Sequence, residues 1–329
     1  MAHRGTEKTL QKLKDSVNNG NYYEAHQMYR TVARRYNKQQ KYKHAIQLLH
    51  DGAVSLMQHQ QSASGSDLAN YMLSTYVTAG TPVDAESLDR VVEILGLYPS
   101  TEPGRKPFIQ SAFGWTQKHG DHHEGDPELH DYVGTMFYHE GQYGLAEEHL
   151  LVGTDESADL LGKVANEWAE HQNAVQKGLY LARALLQYLA MKNVHHATIM
   201  FKSFIQTQSR SPKATSKVRR APADEPTDFL VYDDAWLNFS QLLLLTIQRD
   251  AAELFKQLTQ KYAELYRDEK GFEELLEDIG LVFFNIAKPR KQANMLQDLM
   301  SSLFAGPPPG SAPAAIAPKP AKSSNVDLD

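Results

Sequence analysis

Along most of this chain the apolar positions fall three and four residues apart, the spacing of one face of an α-helix, and strand-like alternation is almost absent. Leu10, Leu13 and Val17 form the first stripe, closed by Asn18-Asn19-Gly20, a helix-ending signal. A second helix presents Tyr22, Ala25, Tyr29, Val32 and Ala33. A third, from Gln40 to about Gln58, presents Tyr42, Ala45, Ile46, Leu49, Ala53 and Leu56. Gly65-Ser66-Asp67 predicts the start of a fourth, with Ser66 or Asp67 as N-cap and Leu68, Tyr71, Met72 and Tyr76 facing inward. Further helices are predicted over 84–97, 108–118, from Asp126-Pro127-Glu128 onward, up to Gly153, and over 157–171, 177–191 and 194–208. The pattern resumes over 236–249, 251–267, 271–285 and 292–304.

The helices share a device. Tyr22 precedes Ala25, Tyr42 precedes Ala45 and Tyr143 precedes Ala146, each time by three residues, so ring and small residue share a helix face. The alanine admits a neighbouring helix and the ring fills the space beside it. Repetition of this unit predicts an all-α fold, a right-handed superhelix of helical hairpins related to the tetratricopeptide solenoids. Two helical halves are expected, 1–153 and 154–304. The second is interrupted at 209–234 by a polar, then alternating stretch ending in Phe229-Leu230-Val231-Tyr232, read as a short β-hairpin-like insertion. Residues 305–329, rich in proline and alanine, are expected to be a disordered tail.

Composition narrows the function classes. Charged residues make up 22% of the chain and the net charge is -6, so no basic field calls for nucleic acid. Cysteine is absent, which removes disulfides, thiol catalysis and cysteine-ligated metals and fits a reducing compartment. The first residues hold no apolar signal core, and apolar runs such as Leu242–Leu245 fall far short of the roughly 18–20 residues that span a bilayer. A cytosolic chain is expected.

Catalytic signatures fail. Gly162-Lys163 continues into Val164, not the Ser or Thr of a phosphate loop, and neither G-x-G-x-x-G nor G-x-S-x-G occurs. His119, His122, His123 and His130 with Asp121 and Glu124 are the best metal candidates, yet the group lies in a Gly/Asp-rich loop with no helix-spaced pair aimed at one point, so a structural loop is expected. The basic run Lys213, Lys217, Arg219, Arg220 has no interleaved aromatic to stack on bases. No catalytic residue, cofactor or metal is assigned.

Two features stand out. With Tyr22, Ala25, Tyr29 and Val32 inward, His26, Arg30 and Arg34 or Arg35 lie along or beside an exposed ridge. Lys8, Lys12 and Lys41 can join it, with Asp67 beyond the next helix. Such a ridge is either a solvated face or a docking surface for an acidic partner. Phe229, Val231, Trp236 and Phe239 are too apolar for an exposed loop; they pack on the array or hold a partner segment.

Several runs resemble a known family: Lys8-Thr9-Leu10-Gln11, Tyr22-Tyr23-Glu24-Ala25-His26-Gln27 and Gly65-Ser66-Asp67-Leu68 near the start, Gly125 to His130, Leu237-Asn238-Phe239, and Leu296 to Met300. This is the cytosolic scaffold subunit of the GET pathway (guided entry of tail-anchored proteins), the fourth-numbered GET protein, whose animal counterpart belongs to the transmembrane-recognition complex. The resemblance implies a non-enzymatic adaptor in tail-anchored protein targeting to the ER membrane. Its N-terminal half would bind the nucleotide-bound homodimeric targeting ATPase and restrain hydrolysis. Its C-terminal half would hold the ubiquitin-like subunit that recruits the substrate-loaded co-chaperone. Carried over, the ATPase surface comprises Lys8, Lys12, His26, Arg30, Arg35, Lys41 and Asp67. The ubiquitin-like partner would lie on Phe229, Leu230, Val231, Tyr232, Trp236 and Phe239. The family's second acid, seven residues after the aspartate, is Ser74 here. A generic repeat scaffold of another cytosolic complex is the alternative.

Overall fold

The computed structural model describes residues 11–208, 217–220 and 227–288. These form an all-α solenoid interrupted by one small β-ribbon. Helix α1 (11–18) is followed by α2 (Tyr22–Lys38), α3 (Tyr42–Gln58), α4 (Ser62–Ala79), α5 (Ala85–Gly96), α6 (Arg105–His119), α7 (Pro127–His139) and α8 (Tyr143–Leu150). Then come α9 (Asp155–His171), α10 (Gly178–Ala190), α11 (Val194–Gln208), the strands β1 (Lys217–Arg220) and β2 (Thr227–Leu230), and α12 (Ala235–Gln248), α13 (Ala252–Lys261), α14 (Ala263–Tyr266) and α15 (Phe272–Phe284). Packing is mostly between near neighbours in sequence: α2 on α3, α3 on α4, α4 on α6, α7 on α8, α9 on α11 and α10 on α12. That local pattern is the mark of a stacked array.

The hairpins turn by one recurring device. Gly20, Gln40, Gln60, Gly141, Asn173, Lys192 and Asp250 all adopt positive φ just beyond a helix. The next N–H reaches a carbonyl five residues back: Lys41 to Tyr36 at 2.9 Å, Gln61 to Leu56 at 2.9 Å, Gln142 to Phe137 at 2.9 Å and Asn193 to Tyr188 at 2.8 Å. This is the Schellman closure, which satisfies carbonyls that the helix end would otherwise orphan. Three of these residues, Gly20, Gln40 and Gln60, stand 20 positions apart, and α2, α3 and α4 start at Tyr22, Tyr42 and Ser62.

That register corrects the expected start of α4. Gly65, Ser66 and Asp67 lie inside the helix, not at its cap. Gly65 is there because α3 and α4 nearly touch: a Cβ on it would fall 2.5 Å from the Met57 side chain. Other caps are where the sequence puts them. Asp126 accepts from Leu129 N at 3.0 Å with Pro127 in the first turn, and Asp84 and Ser87 form a reciprocal capping box on α5. The single helix expected over 251–267 is broken at Tyr262, whose ring lies 5.3 Å from that of Phe239.

Buried residues gather in two clusters, one running from Leu13 to Val133 and the other from Ala146 to Ile279, with Phe137 packed against both. The insertion is an antiparallel ribbon pairing Lys217 with Leu230 and Arg220 with Thr227. The helix expected over 292–304 and the tail 305–329 lie outside the described residues.

Candidate partner-binding surfaces

Helices α2 and α4 meet along a polar seam. On α2, His26, Arg30 and Asn37 lie on one flank; on α4, Asp67, Tyr71 and Thr75 face them. His26 Nε2–H donates to Asp67 Oδ2 at 2.7 Å, and Arg30 Nη1 donates to the other oxygen, Oδ1. Gln27 Nε2 donates to His26 Nδ1 at 3.3 Å. The Arg30 guanidinium also sits 5.8 Å from the centre of the Tyr71 ring. Two turns on from Arg30, Asn37 donates to Tyr71 Oη at 3.3 Å and to Thr75 Oγ1 at 3.0 Å. Arg30 and Asp67 are each half-exposed, so the cluster is anchored yet open to solvent.

The expected ridge is therefore split. His26, Arg30 and Asp67 form one unit. Arg35 is nine residues beyond His26, about two and a half turns, which carries it to the opposite flank of α2. There it packs over the Tyr36 ring, whose own neighbour is His44 of α3. Lys41 caps α3 and is exposed, as is Lys12 on α1; Lys8 lies outside the described residues. Exposed Arg34, four residues past Arg30, continues the His26–Arg30 flank. Ser74 is exposed and donates to its own helix, at Tyr71 O, 2.8 Å away.

The second surface surrounds the start of α12. Asn238 clamps the β2–α12 connection: Tyr232 N donates to its Oδ1 at 2.9 Å, and its Nδ2 donates to Tyr232 O at 2.7 Å. Gln241 Nε2 reaches the Leu230 carbonyl at 2.9 Å, tying the ribbon to the helix. Asp234 caps α12 through Trp236 N and also accepts from Gly178 N at 2.8 Å, so one carboxylate joins α10 to α12. Gly178 is required there, because a Cβ would meet Asp234 and Trp236 side-chain atoms at 2.7 and 2.8 Å.

Of the six residues expected to face a partner, Trp236 (2% exposed), Phe239 (0%) and Tyr232 are core. Trp236 packs on Phe272 at 5.2 Å and its indole N–H donates to Gln176; Phe239 meets Tyr262 and Tyr266. Of the two readings the sequence leaves open, these three side chains take the first and pack on the array. Leu230 and Val231 are half-buried, and the Phe229 side chain lies outside the described residues.

The residues that sequence reasoning missed are the clamps, Asn238 and Gln241, and the cross-helix role of Asp234. An Asp two residues before Trp236 was the available signal, since it fits an N-cap. The Gly162-Lys163 pair also has its account. A Cβ on Gly162 would meet Met200 O at 2.6 Å, so the glycine serves close packing of α9 on α11. Among the described residues no group of three or more His, Cys, Asp and Glu is placed to hold a metal, and no helix is long and apolar enough to cross a membrane.

Comparison with known proteins agrees over nearly the whole chain. The family model described as Golgi to ER traffic protein 4 matches residues 39–304. Golgi to ER traffic protein 4 of Aspergillus fumigatus is 38% identical over 91% of this chain and 90% of its own length. The Homo sapiens homologue is 30% identical over 99% and 94%. A crystal structure of C. therm. Get4 superposes with a TM-score of 0.81 at 33% identity, covering 94% of this chain and 99% of that one. The stacked hairpins, the α2–α4 seam and the clamped insertion thus belong to a member of the Golgi to ER traffic protein 4 family.

Proposed function

We propose that this chain is a non-enzymatic, cytosolic adaptor with two docking ends. Family membership carries the broad statement: the chain acts in the GET pathway of tail-anchored protein targeting. The finer reading assigns the α2–α4 face to the nucleotide-bound targeting ATPase, whose hydrolysis it restrains. The ribbon and the start of α12 are assigned to the ubiquitin-like subunit that brings in the substrate-loaded co-chaperone.

The observation that carries this reading is the His26–Asp67–Arg30 cluster, in which half-exposed Asp67 and Arg30 stand over a mostly buried His26. A fixed group of opposite charges on a rigid helix pair is suited to steering and registering a charged partner. At the other end Val231 and the ribbon are the contact elements, and Trp236 and Phe239 support them from below. Charge reversal tests the assignment. Asp67→Lys should abolish capture of the ATPase and leave capture of the ubiquitin-like subunit intact, and Val231→Asp should do the reverse. Retention of both partners by both variants would refute it.

A further inference from the structure

Along the polar seam the helices α2 and α4 run in the same direction. His26 and Arg30 meet Asp67, Arg30 also meets Tyr71, and Asn37 meets Tyr71 and Thr75. Tyr71, one turn after Asp67 on α4, is therefore shared by the charged end of the seam and its neutral end.

The neutral end is fixed from below. Thr75, 1% exposed, donates to Tyr71 O at 2.9 Å, and its oxygen accepts from Asn37 Nδ2 at 3.0 Å. The other Nδ2 hydrogen goes to Tyr71 Oη at 3.3 Å, so both hydrogens of the amide are spent on α4. The Tyr71 ring is half-buried and packs against the core of the first helices. Packing and its hydroxyl hold it together.

Arg30 rests beside that fixed ring. Its guanidinium carbon lies 5.8 Å from the ring centre, within the range of cation–π attraction. Nη1 donates to Asp67, and among the described residues the remaining N–H groups of this half-exposed side chain meet no acceptor. A guanidinium is a flat fork of five N–H donors, which suits a carboxylate two donors at a time. One hydrogen bond to Asp67 leaves the plane of the fork free to turn. A ring face beside it removes that freedom before a partner arrives, so less order has to be imposed on binding.

We propose that Tyr71 is a positioning residue for docking: its ring holds the Arg30 guanidinium against Asp67 with the unused N–H groups turned outward, where they pair with a carboxylate of the partner. The proposal rests on the assignment of the α2–α4 face to the targeting ATPase. Tyr71 itself makes no contact with that partner.

Two measurements on the full chain separate the positioning from the assignment. In the free chain the Arg30 Nε–H proton resonance carries a ring-current shift from Tyr71, kept in Tyr71→Phe and lost in Tyr71→Leu. An Arg30 resonance unmoved in Tyr71→Leu overturns the positioning. Affinity for the nucleotide-bound ATPase dimer, read by calorimetric titration, then forms a double-mutant cycle with Arg30→Ala. Tyr71→Leu weakens binding about threefold when Arg30 is present and has no effect in the Arg30→Ala background. Tyr71→Phe restores wild-type affinity, and every variant still captures the ubiquitin-like subunit, which shows that it folds; Tyr71→Met replaces the leucine variant if that one does not. The Arg30→Ala loss shrinks as salt is raised, and a loss indifferent to salt overturns the carboxylate. Equal losses from Tyr71→Leu in both backgrounds overturn the proposal, because Tyr71 then acts without Arg30. So does full affinity in Tyr71→Leu beside a loss in Arg30→Ala. Full affinity in Arg30→Ala overturns the assignment of the face, and the docking role with it, even where the resonance moves as expected.

Discussion

Asp67 holds two cationic or donor side chains at once, His26 on one oxygen and Arg30 on the other. Because Arg30 and Asp67 are half-exposed, the worth of their ion pair to folding is small, about 1 kcal/mol or less. Its worth to a steered interface is larger, since one aspartate fixes the positions of both α2 side chains. Asp67→Asn should therefore leave the urea midpoint nearly unchanged while weakening ATPase binding by about tenfold or more, with most of the loss at low salt. Calorimetric titration in parallel with urea unfolding checks both halves of that expectation. The sequence could name these residues but not pair them, because the pairing spans two helices and depends on the register of α4. Arg35 shows the converse: adjacent to Arg34 in sequence, it faces the other way.

The buried imidazoles of His130 and His149 make a second residue-scale prediction. Burial foremost, then the neighbouring His130, brings His149 down to about 4, and burial also lowers His130. Between the ordinary value near 6.5 and about 4, the unfolded chain binds a proton that the folded chain does not. Stability is thus complete above about pH 6.5 and falls as pH drops toward 4, by up to about 3 kcal/mol from His149. His149→Phe should flatten the wild-type slope of unfolding free energy against pH in that window. A slope equal to that of wild type would contradict the burial argument.

At the scale of elements, the Schellman turns explain what the sequence revealed and what it hid. Gly20 and Gly141 announce their turns; Gln40, Gln60, Lys192 and Asp250 do not, because they take the left-handed conformation without being glycine. The start of α4 was missed for that reason, and because Ser62 stands where Tyr22 and Tyr42 stand in the copies before it. Gln60→Gly should stabilise the chain. Relief of left-handed strain, about 1–2 kcal/mol, exceeds the roughly 0.5–1 kcal/mol of added chain entropy. Thermal unfolding measures the gain. Gly178→Ala should act oppositely, costing about 1–3 kcal/mol, since its methyl group must displace Asp234 and Trp236 where α12 meets α10. The helix periods were legible because each buries one face. Trp236 and Phe239 were legible as buried, yet not as core or contact, because composition alone does not say what covers an apolar ring.

At the scale of the whole molecule, the two proposed docking ends lie on one array of stacked helices and are expected to work independently. The inward residues, Tyr29, Ala25, Ala45 and their repeats, specify the stack, and nearest-neighbour packing lets distant surfaces be altered separately. The all-α solenoid could be read from periodicity and the ring–alanine repeat. The partners could not be read from pattern, since a polar seam on a helix pair and a solvated face have the same spacing. The most direct test mixes the chain with both proposed partners, the nucleotide-bound ATPase dimer and the ubiquitin-like subunit, and measures mass by light scattering after gel filtration. A single species containing all three components is predicted, with the ATPase lost from it in Asp67→Lys and the ubiquitin-like subunit lost in Val231→Asp. Mutual displacement of the two partners from the wild-type chain would contradict the two-ended adaptor.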